Sequence, residues 1–248
     1  MSSINVLKRD GTQEELNLEK VHKMVEFAVE GLAGVSASQV EIQSGLQFCD
    51  GIKSADIQEI LIRSASDLIS EEHPNYQYVA ARLLLFGLRK AVHGHPEILP
   101  PLSEHIKGCV DKGVYDGTIV NRYSEEEWNR IDSFVDHERD YLFTYAGLRQ
   151  VVDKYLVQDR STGEHYESPQ QMYIMIAATL FANYPTETRL DYVRRYYNAI
   201  STHKINIPTP IMGGVRTPIR QFASCVLVDI DDTLDSIFSS DMAIGKYV

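Results

Sequence analysis

The spacing of apolar residues changes twice along the chain, and this divides it into three stretches. Residues 4–95 open with a short alternating segment and an Asp-Gly turn, and then carry apolar residues three and four positions apart. Alternation is typical of strands and the second spacing is typical of helices. We predict a hairpin of strands at 4–8 and 14–17 followed by a four-helix bundle. Its last helix, 75–92, is apolar on most sides and should be central.

Residues 102–206 and 207–248 have different patterns. The middle stretch is predicted to be mostly helical, with Ser124 as the N-cap of one helix and Ser168 opening a long helix that ends near Ala182. The last stretch is rich in proline and glycine, and it predicts a strand at 225–228, an acidic turn and a helix. The fold class is therefore mainly α (α+β), ending with the first strand and helix of an incomplete α/β barrel.

Composition and charge exclude several classes of function. The 248 residues carry a formal net charge of −11, which argues against broad nucleic-acid binding. No apolar run is long enough to cross a membrane, and no signal peptide is visible, so we expect a cytoplasmic protein. Cys49, Cys109 and Cys225 are far apart and do not have the spacing of a metal site.

Two candidate reactive side chains lie close together in the last stretch. Cys225, next to Ser224, opens the predicted strand; it is either a small buried hydrophobe or one thiol of a redox pair whose partner lies outside this sequence. Thr209 stands between two prolines, which predicts an extended, rigid segment that carries one hydroxyl. A stiff connector between domains is the alternative interpretation of that segment.

Two groups of charged residues suggest contact with a nucleotide. Asp232 is a predicted N-cap, and its carboxylate can accept from a sugar hydroxyl while the backbone near Leu234 contacts a base or sugar; plain capping is the alternative. In the first stretch, four cations adjoin the hairpin or the helix ends and could surround a triphosphate: Lys8, Arg9, Lys20 and Lys90. Solvated surface lysines are the alternative there, because no glycine-rich phosphate loop is present.

Several motifs resemble known families. Two segments resemble the ATP-cone regulatory domain: Val-Leu-Lys-Arg-Asp-Gly at 6–11 and Asn-Leu-Glu-Lys at 17–20. Residues 208–212, 215–218, 221–222, 224–227 and 232–237 resemble the start of the catalytic barrel in the large (alpha) subunit of class I ribonucleotide reductase. The similarity extends over essentially the whole chain. It implies an ATP-cone at 4–95, a helical domain at 102–206 and the beginning of the barrel at 207–248.

The resemblance also implies roles for particular residues. Thr209 would contact a ribonucleoside diphosphate substrate, Ser224 would lie beside its ribose, and Cys225 would be one of two thiols that reduce the 2′ carbon and form a disulfide. The segment Asp232, Thr233 and Leu234 would contribute to a dNTP specificity site at a dimerisation helix. The residues implied to bind ATP or dATP at the activity site are Lys8, Arg9, Glu14, Asn17, Lys20, Ser54 and Lys90.

The partners implied by the resemblance lie outside this sequence. They are the remaining C-terminal part of the large subunit, a small (beta) subunit with a diiron-tyrosyl radical, a second large subunit, and thioredoxin or glutaredoxin acting on a C-terminal tail. No metal is expected in this chain. The chain is then a piece of a large subunit or one half of a split one, and inactive alone. Gln58 and Gly87 stand where familiar bacterial ATP-cones have histidines, so inhibition by dATP is not implied.

Two other functions are compatible with the sequence. The first is a regulatory module that binds ATP or dATP and has no chemistry of its own. The second is a helical assembly protein whose contact is the terminal helix, because Leu234, Ile237, Phe238 and Ile244 are too apolar to remain exposed.

Overall fold

The chain begins with a three-stranded sheet. The computed structural model describes residues 4–8, 11–45 and 47–247. Strands β1 (Asn5–Leu7) and β2 (Gln13–Glu15) pair antiparallel, and β3 (Ile52–Lys53) lies parallel to β1 on its other side. The predicted hairpin is confirmed. Strand β3 was not predicted, because two residues are too few to show alternation.

Four helices pack against one another in this part, as predicted: α1 (Leu18–Val29), α2 (Ala37–Gly45), α3 (Ser54–Asp67) and α4 (Tyr76–His93). Helix α4 packs against both α1 and α3 and buries residues around most of its circumference, which confirms its central position. It ends at Gly94, whose φ of 77° is the left-handed conformation that glycine adopts at low cost.

The middle of the chain is a second group of helices centred on a long apolar one. Within α8 (Pro169–Phe181), every residue up to Ala178 is buried, and the helix packs mainly against α9 (Thr186–Ser201). The N-cap residues Ser168 and Ser124 both form capping boxes, as their sequence predicts. The elements of this part are α5 (Leu102–Asp111), α6 (Glu125–Asp132), α7 (Tyr145–Gln150), β4 (Gln158–Asp159), β5 (Glu164–His165), α8 (Pro169–Phe181) and α9 (Thr186–Ser201).

Short non-α turns connect these helices. Gly117–Arg122 and His137–Leu142 are 3₁₀ helices, and Val151–Tyr155 is a π-helical turn that continues α7. None of them was predicted, since their hydrogen-bond patterns have no distinct hydrophobic period. Turns of the π type are frequent at functional sites.

The last stretch differs from its prediction at two places. Residues 225–228 are irregular and exposed, and among residues 207–247 no strand forms. A strand needs a neighbour to satisfy its backbone groups, and the described chain places none beside this segment. Thr209 is not extended: it begins helix α10 (Thr209–Gly214), with Pro210 in the first turn, where a missing N–H costs no helical hydrogen bond.

A helix closes the described chain. Helix α11 (Leu234–Tyr247) confirms the predicted terminal helix, but its first turn is capped by Thr233, whose Oγ1 accepts from the backbone N–H of Ser236 at 3.2 Å. The prediction that Asp232 is the N-cap is therefore wrong, because the cap lies one residue later. The boundaries 4–95, 102–206 and 207–248 stay predictions. No helix in the described part of the chain has the length and apolarity that crossing a membrane requires.

The capping box of α6 provides a test of local stability. Ser124→Ala removes the hydroxyl that accepts from Glu127 N, and we expect a loss of about 1 kcal/mol in unfolding free energy. Urea unfolding followed by the fluorescence of the single tryptophan, Trp128, on the same helix measures it. The control is Ser103→Ala, an exposed position inside α5, which should keep the wild-type midpoint. Equal midpoints for both variants would contradict the role of the cap.

Candidate functional site

A cavity of about 410 Å³ lies between the hairpin, α1, α3 and α4. It contains six of the seven residues predicted for the activity site; the seventh, Arg9, lies outside the described residues. The six come from different elements: Lys8 follows β1, Glu14 is in β2, Asn17 caps α1, Lys20 is in the first turn of α1, Ser54 begins α3 and Lys90 is in the last turn of α4. Lys8 and Lys90 are 82 positions apart in the sequence, yet both line this cavity.

The cavity is positively charged although the protein is acidic. Four lysines (Lys8, Lys20, Lys23 and Lys90) and two glutamates (Glu14 and Glu97) line it, against a net charge of −11 for the whole chain. The N-terminal ends of α1 and α3 add the partial positive charge of their free N–H groups. Such a surface favours an anion, and several phosphates in particular.

Glu14 holds two of these lysines in place. Its Oε1 is 2.5 Å from Lys8 Nζ and 3.6 Å from Lys20 Nζ. The hydrogen bond from Lys8 and the charges of both lysines hold the pKa of Glu14 below its ordinary value. The carboxylate therefore stays ionised at neutral pH and pairs with both ammonium groups. Asn17 Oδ1 accepts from the backbone N–H of Lys20 at 3.0 Å and fixes the start of α1.

The remaining wall of the cavity is apolar. Side chains from β1, the hairpin end and three helices form it: Val6, Leu16, Val21, Met24, Phe27, Ile57 and Phe86. The flat faces of an aromatic ring suit this surface, whereas anionic groups such as phosphates suit the lysines. Sequence reasoning missed Lys23, Phe27 and Phe86. Lys23 and Phe27 follow Lys20 by three and seven positions, which places them on the same face of α1. That spacing could have predicted that they line the cavity.

Gln58 lines this cavity and lies against Gly87 of α4. Its Nε2 donates to the carbonyl oxygen of Leu83 at 2.7 Å. A Cβ on residue 87 would lie 3.0 Å from Gln58 Cγ, so the missing side chain of Gly87 makes the room in which Gln58 rests against α4. Neither residue is titratable near neutral pH, so no imidazole contributes from these two positions.

The predicted substrate threonine lies at a second cavity, of about 510 Å³. Thr209 Oγ1 is 3.4 Å from the hydroxyl of Tyr155, the last residue of the π-helical turn, and Lys154 and Arg160 line the same space. Sequence reasoning missed all three. Ser224 and Cys225 do not line this cavity, and both are exposed. The described structure therefore does not bring the three predicted substrate residues together.

A buried ion pair fixes the elements on which Thr209 depends. Arg216 and Glu167 are both fully buried, and Arg216 Nε donates to Glu167 Oε2 at 2.8 Å. The same guanidinium donates to the carbonyl oxygens of Met212 in α10, at 2.5 Å, and of Tyr155, at 3.0 Å. Tyr115 donates its hydroxyl to Glu167 at 2.5 Å, and burial raises the pKa of this phenol. Arg216 thus ties α10 to the π-helical turn.

The acidic turn before α11 stands apart from both cavities. Asp232, Thr233 and Leu234 are exposed, and none of them lines either cavity. Exposed apolar residues continue along α11. Of the other thiols, Cys49 is exposed, whereas Cys109 is buried and desolvation raises its pKa to about 12, which keeps it protonated. Within the described ranges, no group of three His, Cys, Asp or Glu residues is arranged to hold a metal ion.

Comparison with known proteins identifies both parts of this architecture. Residues 4–91 match the ATP cone domain family, and residues 141–220 match the family described as ribonucleotide reductase, all-alpha domain. The chain is 55% identical over 243 residues to the ribonucleoside-diphosphate reductase 1 subunit alpha of Escherichia coli, which covers 98% of this chain and 32% of that protein.

Other relatives cover the same share. The ribonucleoside-diphosphate reductase subunit alpha of Haemophilus influenzae is 54% identical over 246 residues, covering 99% of this chain and 32% of that protein. The subunit alpha of Enterobacteria phage T4 is 42% identical over 252 residues, covering 100% of this chain and 32% of that protein.

These matches define a chain in which an ATP cone domain precedes the all-alpha domain of a ribonucleotide reductase. The predicted resemblance is confirmed: the chain belongs to the family of ribonucleoside-diphosphate reductase alpha subunits. It spans about a third of the length of these relatives.

The ion pair behind α10 gives a stability prediction. Glu167→Gln leaves the buried Arg216 guanidinium without its counter-charge, and we expect the free energy of unfolding to fall by about 3–5 kcal/mol. Thermal and urea unfolding measure the loss. Glu164→Gln is the matched control, because it breaks the exposed pair with Lys112 and should cost less than about 1 kcal/mol. Similar losses in the two variants would show that burial of the pair is unimportant.

Proposed function

We propose that this chain binds an adenine nucleoside triphosphate, ATP or dATP, as an allosteric effector in the cavity between its hairpin and α4. The observation that carries the proposal is the meeting of four lysines with an apolar wall in one space of about 410 Å³. The lysines supply charge-assisted hydrogen bonds to phosphate oxygens, and the apolar wall supplies a surface for the base. The match to the ATP cone family supports this assignment.

The second part of the proposal concerns catalysis by the complete enzyme. The names of the relatives describe reductases of ribonucleoside diphosphates, and we extend that activity to the assembly of which this chain is a part. Thr209 would hold the substrate and Ser224 would lie beside its ribose. Cys225 would give one of two thiols: the substrate gains two electrons and loses its 2′ hydroxyl as water, while the two thiols become a disulfide.

Residues outside this sequence have to complete the proposed chemistry. Cys225 lies on an exposed segment, and among the described residues its neighbours include no second cysteine bonded to it. We therefore propose that the rest of a large subunit supplies the second thiol and that this chain alone is inactive. A small (beta) subunit with a diiron-tyrosyl radical would start the reaction, and thioredoxin or glutaredoxin would reduce the disulfide through a C-terminal tail. No metal is proposed in this chain.

The segment that begins at Asp232 belongs to the same proposal. Asp232, Thr233 and Leu234 would contribute to a dNTP specificity site, with α11 pairing to a second large subunit. The exposed apolar residues of α11 support an interface there, since Leu234 is 71% exposed and Phe238 is 66% exposed. A helical assembly protein without chemistry is the second candidate function that this surface favours, and self-association without reductase activity in any mixture would distinguish it.

Nucleotide binding is tested by calorimetric titration of ATP and dATP into the 248-residue chain. Lys8→Ala removes one phosphate-facing ammonium, and we expect affinity to fall about 10-fold or more, since a charge-assisted hydrogen bond contributes roughly 1.5–3 kcal/mol. Lys107→Ala is the control, an exposed lysine on α5 outside the cavity. If titration of ATP and dATP into the unaltered chain gives no heat of binding, the proposal is wrong.

Catalysis is tested by adding this chain to the complementary part of a related alpha subunit and its beta subunit. We expect deoxyribonucleotide formation only in the complete mixture. Cys225→Ser should abolish turnover with a dithiol as reductant, because no disulfide can form. Cys49→Ser, which alters the other exposed thiol, should retain it. Undiminished turnover by the Cys225 variant would show that this thiol is not a reductant.

A further inference from the structure

The 3₁₀ turn His137–Leu142 is one of the places where the ATP-cone part and the helical part of the chain meet; α4 also packs against α7 and β5. This turn contacts both α4 and α8, the central helices of the two parts. Arg89, one residue before the cavity-lining Lys90, donates through Nη2 to the carbonyl oxygen of His137 and to Asp140 Oδ2, each at 2.8 Å. The side chain of Arg89 is 5% exposed and that of Asp140 is fully buried, so this contact excludes water.

A second contact reaches the nucleotide cavity directly. The ring of Tyr141 meets the ring of Phe27 edge to face, with centroids 6.1 Å apart, and Phe27 lines the cavity from α1. Arg82 and Arg89, both on α4, place their guanidinium carbons 5.6 Å and 5.7 Å from the centroid of the Tyr141 ring. Arg82 also donates to the carbonyl oxygen of Glu30 at 2.6 Å, just after α1 ends. Tyr141 therefore contacts α1 and α4, two walls of the cavity.

The contact continues into the core of the helical part. Gln170, buried on α8, donates to Asp140 Oδ1 at 2.9 Å and accepts from the hydroxyl of Tyr197 on α9 at 2.7 Å. The backbone N–H of Asp136 donates to the Tyr197 hydroxyl at 2.9 Å. A continuous set of hydrogen bonds thus joins α4 to α8 and α9 through Asp140.

We propose that the clasp formed by Arg89, Asp140 and Tyr141 couples the nucleotide cavity to the helical part of the chain. This inference rests on the proposed nucleotide binding. Tyr141 and Asp140 are then positioning residues: they do not touch the nucleotide, but they hold Phe27 and the end of α4 where the nucleotide needs them. A nucleotide that orders α1 and α4 also orders the turn 137–142, and the coupling must act equally in the other direction.

The clasp differs from a second ion pair that joins the two parts among the described residues. Arg149 on α7 lies 3.6 Å from Glu59 on α3, and both side chains are about two-fifths exposed, at 38% and 44%. An exposed pair at that distance is screened and contributes little. The coupling is therefore assigned to the buried clasp, and Arg149 provides a control at the same boundary.

The test uses ATP as the probe and the whole chain. Tyr141→Ala removes the ring that contacts Phe27, and we expect ATP affinity to fall at least about 5-fold, the lower end of typical couplings. Tyr141→Phe keeps the ring and should bind ATP like the unaltered chain. Arg149→Gln should also bind ATP normally. Calorimetry gives the affinities, and circular dichroism verifies the helix content of each variant.

Amide hydrogen exchange provides a readout that needs no variant. In the unaltered chain, saturation with ATP should slow exchange in residues 137–142, which a merely structural contact does not require. The Tyr141→Ala chain should lose this response. If ATP binds but leaves the exchange of 137–142 unchanged, or if Tyr141→Ala binds ATP as tightly as the unaltered chain, the coupling is wrong while nucleotide binding stands. If the unaltered chain binds no ATP, the proposed function itself fails.

Discussion

Burial of helix α4 on nearly all sides is the constraint on which both parts of the structure depend. It packs against α1 and α3, and also against α7, β5 and the turn 137–142 of the helical part. A helix buried in this way has no freedom to rotate or slide without opening voids, which close-packed interiors do not tolerate. The side chains it carries are therefore held at fixed places, with Lys90 and Phe86 at the nucleotide cavity and Arg89 at the boundary with the helical part.

The two candidate sites differ in how much of them this chain provides. The nucleotide cavity has walls from the sheet and three helices, and its charged and apolar surfaces are both in place. The segment with Ser224 and Cys225 has no regular structure and no cover, and apolar residues such as Leu227 next to it are fully exposed. The backbone hydrogen bonds and apolar burial that this segment lacks have to come from another polypeptide segment.

Local sequence signals predicted the fold well where local forces decide it. The helix starts at Ser124 and Ser168 depend on residues within a few positions of each serine, and both predicted starts were confirmed. The strand at 225–228 was wrong, because strand formation depends on a neighbour that no local pattern reveals. The prediction of an extended segment at Thr209 was wrong for a related reason: the same prolines that favour an extended chain are also tolerated in the first turn of a helix.

The candidate sites were predictable only in part. The family resemblance predicted which residues would contact a nucleotide, and the structure places six of them around one cavity. Their role in binding stays a prediction. Periodicity could not have found the partnership of Arg216 with Glu167, which are 49 positions apart, nor that of Arg89 with Asp140, which are 51 apart. Such pairs follow from the packing of whole helices.

The carboxylate of Glu14 gives the nucleotide cavity a built-in competitor. Glu14 already neutralises part of the charge on Lys8 and Lys20. An anion that displaces it must therefore attract these ammonium groups more strongly than a single carboxylate does. A ligand with a single negative charge gains little by exchange, whereas a chain of three phosphates can engage both lysines at once and leave Glu14 to solvent. Under the proposed function, the hairpin would therefore discriminate between ligands by their charge before any contact with the base is made.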